Sequence, residues 1–111
     1  MEGHSEIMAG LASELRRGTV VLGVLTLLTQ PTYGWSLIAQ MEELGLPADG
    51  NTLYPLLRRL EKQGLLKSEW ETAGAKPRKY YVITPEGDEV RRELSGQWYT
   101  TVESMTEILG R

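Results

Sequence analysis

Residues 51–64 read NTLYPLLRRLEKQG, and the fold turns on how this stretch winds. At 100° per residue Leu53, Leu56, Leu57 and Leu60 cluster within about 100°, while Asn51, Pro55, Arg58 and Lys62 take the opposite side. Thr52 and Arg59 flank one edge, Tyr54 and Glu61 the other. The spacing predicts a helix with one anchored side and one cationic side. Because Pro55 has no N–H to donate, it is tolerated best in a first turn, so Asn51 or Thr52 is the expected N-cap in preference to Asp49. Gly64 is the expected stop.

A cationic helix is unexpected in this chain, whose formal net charge is −3. The charge is unevenly placed, however. Between Asn51 and Tyr80 seven bases (Arg58, Arg59, Lys62, Lys67, Lys76, Arg78, Lys79) face three acids (Glu61, Glu69, Glu71), leaving five bases and twelve acids elsewhere from totals of 12 and 15. Local potential governs an encounter with a polyanion, so this basic sector marks a candidate surface for nucleic acid, against the plainer reading of a solvated charged face.

With 111 residues the chain is expected to form one domain with a modest core. There is no cysteine, which excludes a disulfide framework, iron–sulfur ligation and a thiol nucleophile. The single histidine, His4, lies in a terminus expected to fray, so no metal site, cofactor or serine–histidine pair is expected. The longest apolar run, TVVLGVLTLLT, is about half of what a membrane-spanning helix needs, and a secretory signal pattern is missing; a cytoplasmic protein that makes no membrane contact is expected.

Outward from the opening stretch, Ile7, Met8, Leu11 and Leu15 recur at helical spacing and lead into a second helical run, Arg16 to Thr29, apolar nearly all round. Gln30-Pro31-Thr32 breaks it. Thr32 is the expected cap of a helix with the stripe Leu37, Ile38, Met41 and Leu44 and with Gly45 as its stop. LKSEWET alternates, with Leu66, Ser68 and Trp70 inward, and RKYYVIT returns, so residues 66–84 are expected to form a hairpin with Lys76, Arg78 and Lys79 at or beside its tip. Thr84-Pro85-Glu86 opens a last helix with the stripe Val90, Leu94, Trp98, Val102, Met105 and Leu109.

The expected class is mainly α (α+β): a winged helix-turn-helix with a three-helix core, a two-stranded β wing and a long C-terminal helix. A helix of this kind fits the DNA major groove, braced by the helix before it. Arg58 is the candidate for reading guanine, Asn51 for adenine; Thr52, Tyr54, Arg59 and Lys62 are candidates for phosphate, and Pro55 shapes the entrance. Lys76, Arg78 and Lys79 are candidates for flanking phosphate or the minor groove. Tyr33 and Gly34 either offer a phosphate the next helix's N-terminus or simply pack tightly. The terminal stripe exceeds what this core covers, so a second subunit is expected over Leu94, Trp98, Val102, Met105 and Leu109, with Met8 and Leu11 completing the contact.

The segments TYGWSLIAQMEE, GNTLYPLLRRLEKQGLLKSEWE and PRKYYVITPEG resemble the signature segments of the PadR family of bacterial transcriptional regulators, over about Leu15 to Leu94. The resemblance implies a homodimeric repressor on an inverted-repeat operator in double-stranded DNA, dimerised through the C-terminal helix and in many members released by a small molecule. Trp35 departs from the family pattern. In the similar compact members a tryptophan of the last helix lines a cavity between subunits, and Trp98 matches it; with Met8, Tyr99 and Met105 it could stack a flat aromatic effector, or it could be ordinary dimer packing. Residues 1–84 would then be the DNA-binding domain and 85–111 the dimerisation helix. An adaptor without DNA binding has no reason to keep the basic set, and adjacent carboxylates such as Glu42 and Glu43 read as solvated faces, so no enzyme is expected.

Overall fold

The computed structural model describes residues 2–110. Four helices and three short strands follow one another as α1 (Glu2–Leu27), β1 (Thr32–Tyr33), α2 (Gly34–Glu43), α3 (Gly50–Lys62), β2 (Leu66–Glu71), β3 (Arg78–Ile83) and α4 (Pro85–Leu109). The strands make one antiparallel sheet in the order β1-β3-β2. This is the winged helix expected, with a third strand that the sequence reading did not foresee.

The core is assembled from one side of each element. Val20, Val24, Leu25 and Leu28 come from α1 and the turn after it, Leu37 and Met41 from α2, Leu53, Leu56, Leu57 and Leu60 from α3, and Leu66 and Tyr81 from the sheet. Burying a leucine contributes about 1.5–3 kcal/mol, so the α3 row alone supplies on the order of 6–12 kcal/mol against chain entropy.

Both long helices outrun this core. The two N-terminal helical stretches are one helix, in which His4 is helical and exposed, because no proline or capping signal interrupts them. Its first half leaves Ile7, Met8, Leu11 and Leu15 largely in solvent. At the other end Val90 and Leu94 of α4 pack against the core, whereas Trp98, Tyr99, Val102, Met105 and Leu109 remain exposed.

Four local expectations are corrected. Asp49, not Asn51 or Thr52, is the N-cap of α3: its carboxylate accepts the Thr52 N–H at 2.9 Å and its carbonyl the Leu53 N–H at 2.8 Å. Pro55 therefore lies beyond the first turn and leaves the Asn51 carbonyl without its helical donor. Both residues are exposed, so water satisfies that carbonyl and the cost is small. Thr32 does not cap α2; it pairs with Tyr81 in β1, and Tyr33 is the N-cap, without a side-chain hydrogen bond. Trp70 alternates inward but is 61% exposed, because the hairpin runs past the edge of the core. Leu44, placed on the buried stripe of α2, is likewise exposed.

Other punctuation stands as expected: Gly45 and Gly64 take φ of 83° and 81° after α2 and α3. The junction into α4 locks the α3 end. Thr84 donates its hydroxyl to the Gly64 carbonyl at 2.7 Å and its N–H to the Leu65 carbonyl at 3.0 Å, while its Oγ1 accepts the Gly87 N–H at 3.0 Å. Gly87 lies so close that a Cβ there would stand 2.0 Å from the Leu65 oxygen.

Gly87→Ala is therefore expected to destabilise the fold by about 1–3 kcal/mol or more, through forced separation of α4 from the α3 turn. Gly96→Ala, where a Cβ meets nothing within 4 Å, is expected to stabilise it by about 0.5–1 kcal/mol. Thermal unfolding followed by circular dichroism checks both, and a Gly87→Ala midpoint at or above wild type would contradict the packing described.

Candidate nucleic-acid interface

The outer side of α3 is polar and open. Asn51, Thr52, Pro55, Arg58, Arg59 and Lys62 are all exposed, opposite the four buried leucines. Ser68 of β2 donates its hydroxyl to the Glu61 carboxylate at 2.6 Å, tying the wing side of the helix to the sheet.

Alternation along β3 divides the wing's cations between two faces. Lys79, Tyr81 and Ile83 share the inner face with Leu66, Ser68 and Trp70. On this face the Lys79 ammonium lies over the rings of Trp70 and Tyr81, at 5.8 and 5.6 Å from their centroids. Burial pushes the Tyr81 hydroxyl pKa up, with Glu61 and Tyr54 adding to the rise and Arg58 opposing it, so Arg58 stands within electrostatic reach of the same face. Arg58 and Lys62 lie one turn apart on the exposed side of α3, and Lys79 lies on the inner face of the wing.

Arg78 belongs to the other face. Its guanidinium lies 5.2 Å from the Tyr33 ring centroid and 3.9 Å from the Glu71 carboxylate. Tyr33 donates its hydroxyl to Glu71, stacks on Trp35 at 6.0 Å between centroids and meets Tyr80 edge-on at 6.2 Å. Tyr80 in turn donates to Glu69. Lys76 lies in the exposed turn after β2 and Arg78 and Lys79 open β3 beside it, as expected, with the latter two held by aromatic rings on opposite faces of the sheet.

Tyr54, a candidate for phosphate, packs against the start of α2. It is half-buried, and a Cβ on Gly34 would stand 2.7 Å from its ring and 3.0 Å from its hydroxyl. Both readings of Gly34 have a place in this geometry. The glycine is buried because Tyr54 closes over it, and the uncapped first turn of α2 opens beside the Tyr54 hydroxyl. Glu71 and Trp70, which lie against the wing's cations, were not foreseen as part of the site; only strand pairing puts Glu71 opposite Arg78 and Trp70 opposite Lys79.

Comparison with known proteins agrees with this architecture. Residues 21–93 match the transcriptional regulator PadR-like family. A transcriptional regulator of Mycobacterium tuberculosis is 33% identical over 98 residues, which span 87% of this chain and 89% of that protein. The solved structure of a PadR family transcriptional regulator from Eggerthella lenta is 46% identical with a TM-score of 0.88, covering 98% of this chain and 97% of its own. A PadR-like transcription factor from Bacteroides fragilis is 35% identical with a TM-score of 0.74, over 89% and 98% of the two chains.

The Glu71 contact gives the wing a titration signature. Its hydrogen bond, ahead of desolvation and of its charge, raises the Tyr33 hydroxyl above the usual tyrosine range. A group whose pKa is raised in the folded state stabilises that state below its unfolded pKa, and the contribution is lost as pH rises through the folded value. Glu71→Gln is expected to bring the Tyr33 midpoint back toward ordinary tyrosine in an ultraviolet titration. An unchanged midpoint would remove Glu71 as the partner.

Proposed function

The chain belongs to the transcriptional regulator PadR-like family, and on that premise we propose that it is a cytoplasmic repressor that binds an inverted-repeat operator in double-stranded DNA as a homodimer and is released by a flat aromatic ligand. The observation that carries the DNA-binding reading is the exposed polar and cationic side of α3, with Asn51, Arg58, Arg59 and Lys62, backed by leucines that are 0–9% exposed. In the major groove Arg58 would address guanine O6 and N7 and Asn51 adenine, while Lys62 and Lys79 neutralise phosphate. The uncapped first turn of α2, with Gly34 and the Tyr54 hydroxyl beside it, suits one further phosphate. Lys76 in the hairpin turn suits flanking backbone or the minor groove, and Arg78 supports it from the far face of the wing.

Residues 1–84 are the proposed DNA-binding domain and 85–111 the dimerisation helix. The support for a second subunit is the pair of uncovered apolar faces, Met8 and Leu11 on α1 and Trp98, Val102, Met105 and Leu109 on α4. The support for a ligand is a groove of about 520 Å³ walled by Trp98 together with Leu22, Thr26 and Leu27 of α1 and with Met41 and Leu44. That lies within the roughly 300–1,000 Å³ of small-molecule sites, and its lining is largely apolar.

If the dimer neutralises about eight phosphates, log affinity for the operator should fall against log salt with a slope of about −7. Arg58→Ala is expected to cost about 1–3 kcal/mol and to relax preference at one base of each half-site, whereas Lys62→Ala should weaken all sequences alike. Fluorescence anisotropy on duplexes selected from the source genome measures both; a wild-type slope near zero would sink the proposal. Sedimentation of Val102→Glu is expected to give a monomer where the wild type gives a dimer. Titration with planar aromatic compounds should quench Trp98 and lower operator affinity together; if neither changes, the chain has no such effector.

A further inference from the structure

The recognition side of α3 has two long edges, and only one of them meets the wing. Tyr54 and Glu61 border the start of α2 and the sheet, through Gly34 and Ser68. Along the other edge, Thr52, Pro55 and Arg59 face α1 across a concavity of about 550 Å³, whose opposite wall carries Ser13, Arg16 and Arg17. Arg16 and Arg17 lie far from the basic sector in sequence, and only the fold brings them beside Arg59.

Among the described residues none of the three guanidiniums there makes an ion pair; the pairs are Arg78 with Glu71 and Arg91 and Arg92 with Asp88. The one acid lining the concavity, Asp49, is already engaged by the Thr52 N–H. The floor is formed by Val20, Val21, Pro47 and Leu56, which offer the arginines no competing acceptor side chain. The site is thus an exposed trough with an apolar floor, three arginines against the single carboxylate of Asp49, and no ion pair between them among the described residues.

Duplex geometry identifies its occupant. A helix with side chains is about 10–12 Å across and the major groove about 12 Å wide, so a seated helix has a phosphate strand along each edge. One strand would pass the start of α2 and the wing. The other has to pass the trough. We infer that Arg16 and Arg17 of α1, with Arg59 of α3, clasp the phosphodiester strand on the side of the groove away from the wing. The planar forks of arginine suit phosphate oxygens, and such contacts add affinity and register without reading sequence. This clasp rests on the proposal that α3 is the recognition helix.

The test is the salt dependence of binding by the full chain to a random-sequence duplex long enough for two half-sites, comparing wild type with Arg16→Ala/Arg17→Ala and Arg16→Lys/Arg17→Lys. Loss of two contacts per subunit should make the slope of log affinity against log salt shallower by about 3–4 and weaken binding at about 0.1 M salt on the order of a hundredfold or more. The lysine pair should keep most of the wild-type slope, and the melting temperature of all three should agree, since both side chains are exposed. A steep wild-type slope left unchanged in the alanine pair would overturn the clasp and leave the recognition helix standing, as would a lysine pair as defective as the alanine pair. A wild type that fails to bind duplex would overturn the recognition-helix reading itself, and the clasp with it.

Discussion

The fold depends on the rotation of α3 about its own axis, and four leucines set it. Leu53, Leu56, Leu57 and Leu60 are 0–9% exposed between α1, α2 and the sheet, and turning the helix by one residue would expose several of them at about 1.5–3 kcal/mol each. Both ends are fixed as well, by the Asp49 cap and by the Gly64–Thr84–Gly87 junction. A helix so constrained on its inner side can be entirely polar outside without loss of stability. Asn51, Arg58 and Lys62 occupy that freedom, which is how a chain of net charge −3 presents a cationic surface.

The antiparallel ladder holds the wing together, and aromatic rings position its cations. Lys79 lies over Trp70 and Tyr81, and Arg78 over Tyr33. Cation–ring contacts of this kind hold a charge in place while leaving its donors available, unlike a bidentate pair with a carboxylate. Glu71 sits near Arg78 at 3.9 Å but accepts the shorter hydrogen bond from Tyr33, so the arginine is positioned without being fully neutralised. Lys79, on the opposite face of the sheet, makes no ion pair among the described residues.

The legible parts of the sequence were those whose signal is local. The leucine spacing of α3, the glycines after α2 and α3 and the Thr84-Pro85 start of α4 each act within a few residues, and each stands where the pattern put it. What escaped needed partners distant in the chain. Two residues of β1 carry no periodicity, and Thr32 looked like a cap until Tyr81 lay beside it. Pro55 argued for a late helix start, yet the carbonyl it orphans is in water and the Asp49 cap outweighs it. The division of Arg78 from Lys79 between the two faces follows from strand alternation and needs the β2–β3 register to place each against its ring. The trough of Arg16, Arg17 and Arg59 joins residues about forty positions apart and has no signature along the chain.

The central claim, that the outer side of α3 lies in the groove while α4 stands away from it, has a direct measurement, because the chain contains no cysteine and one introduced at an exposed position is its sole thiol. A DNA-cleaving iron chelate attached to Lys62→Cys should cut a bound duplex within each half-site, and the same reagent on Glu103→Cys should leave the duplex intact. Cutting from position 103, or none from position 62 on a duplex shown to be bound, would contradict the account.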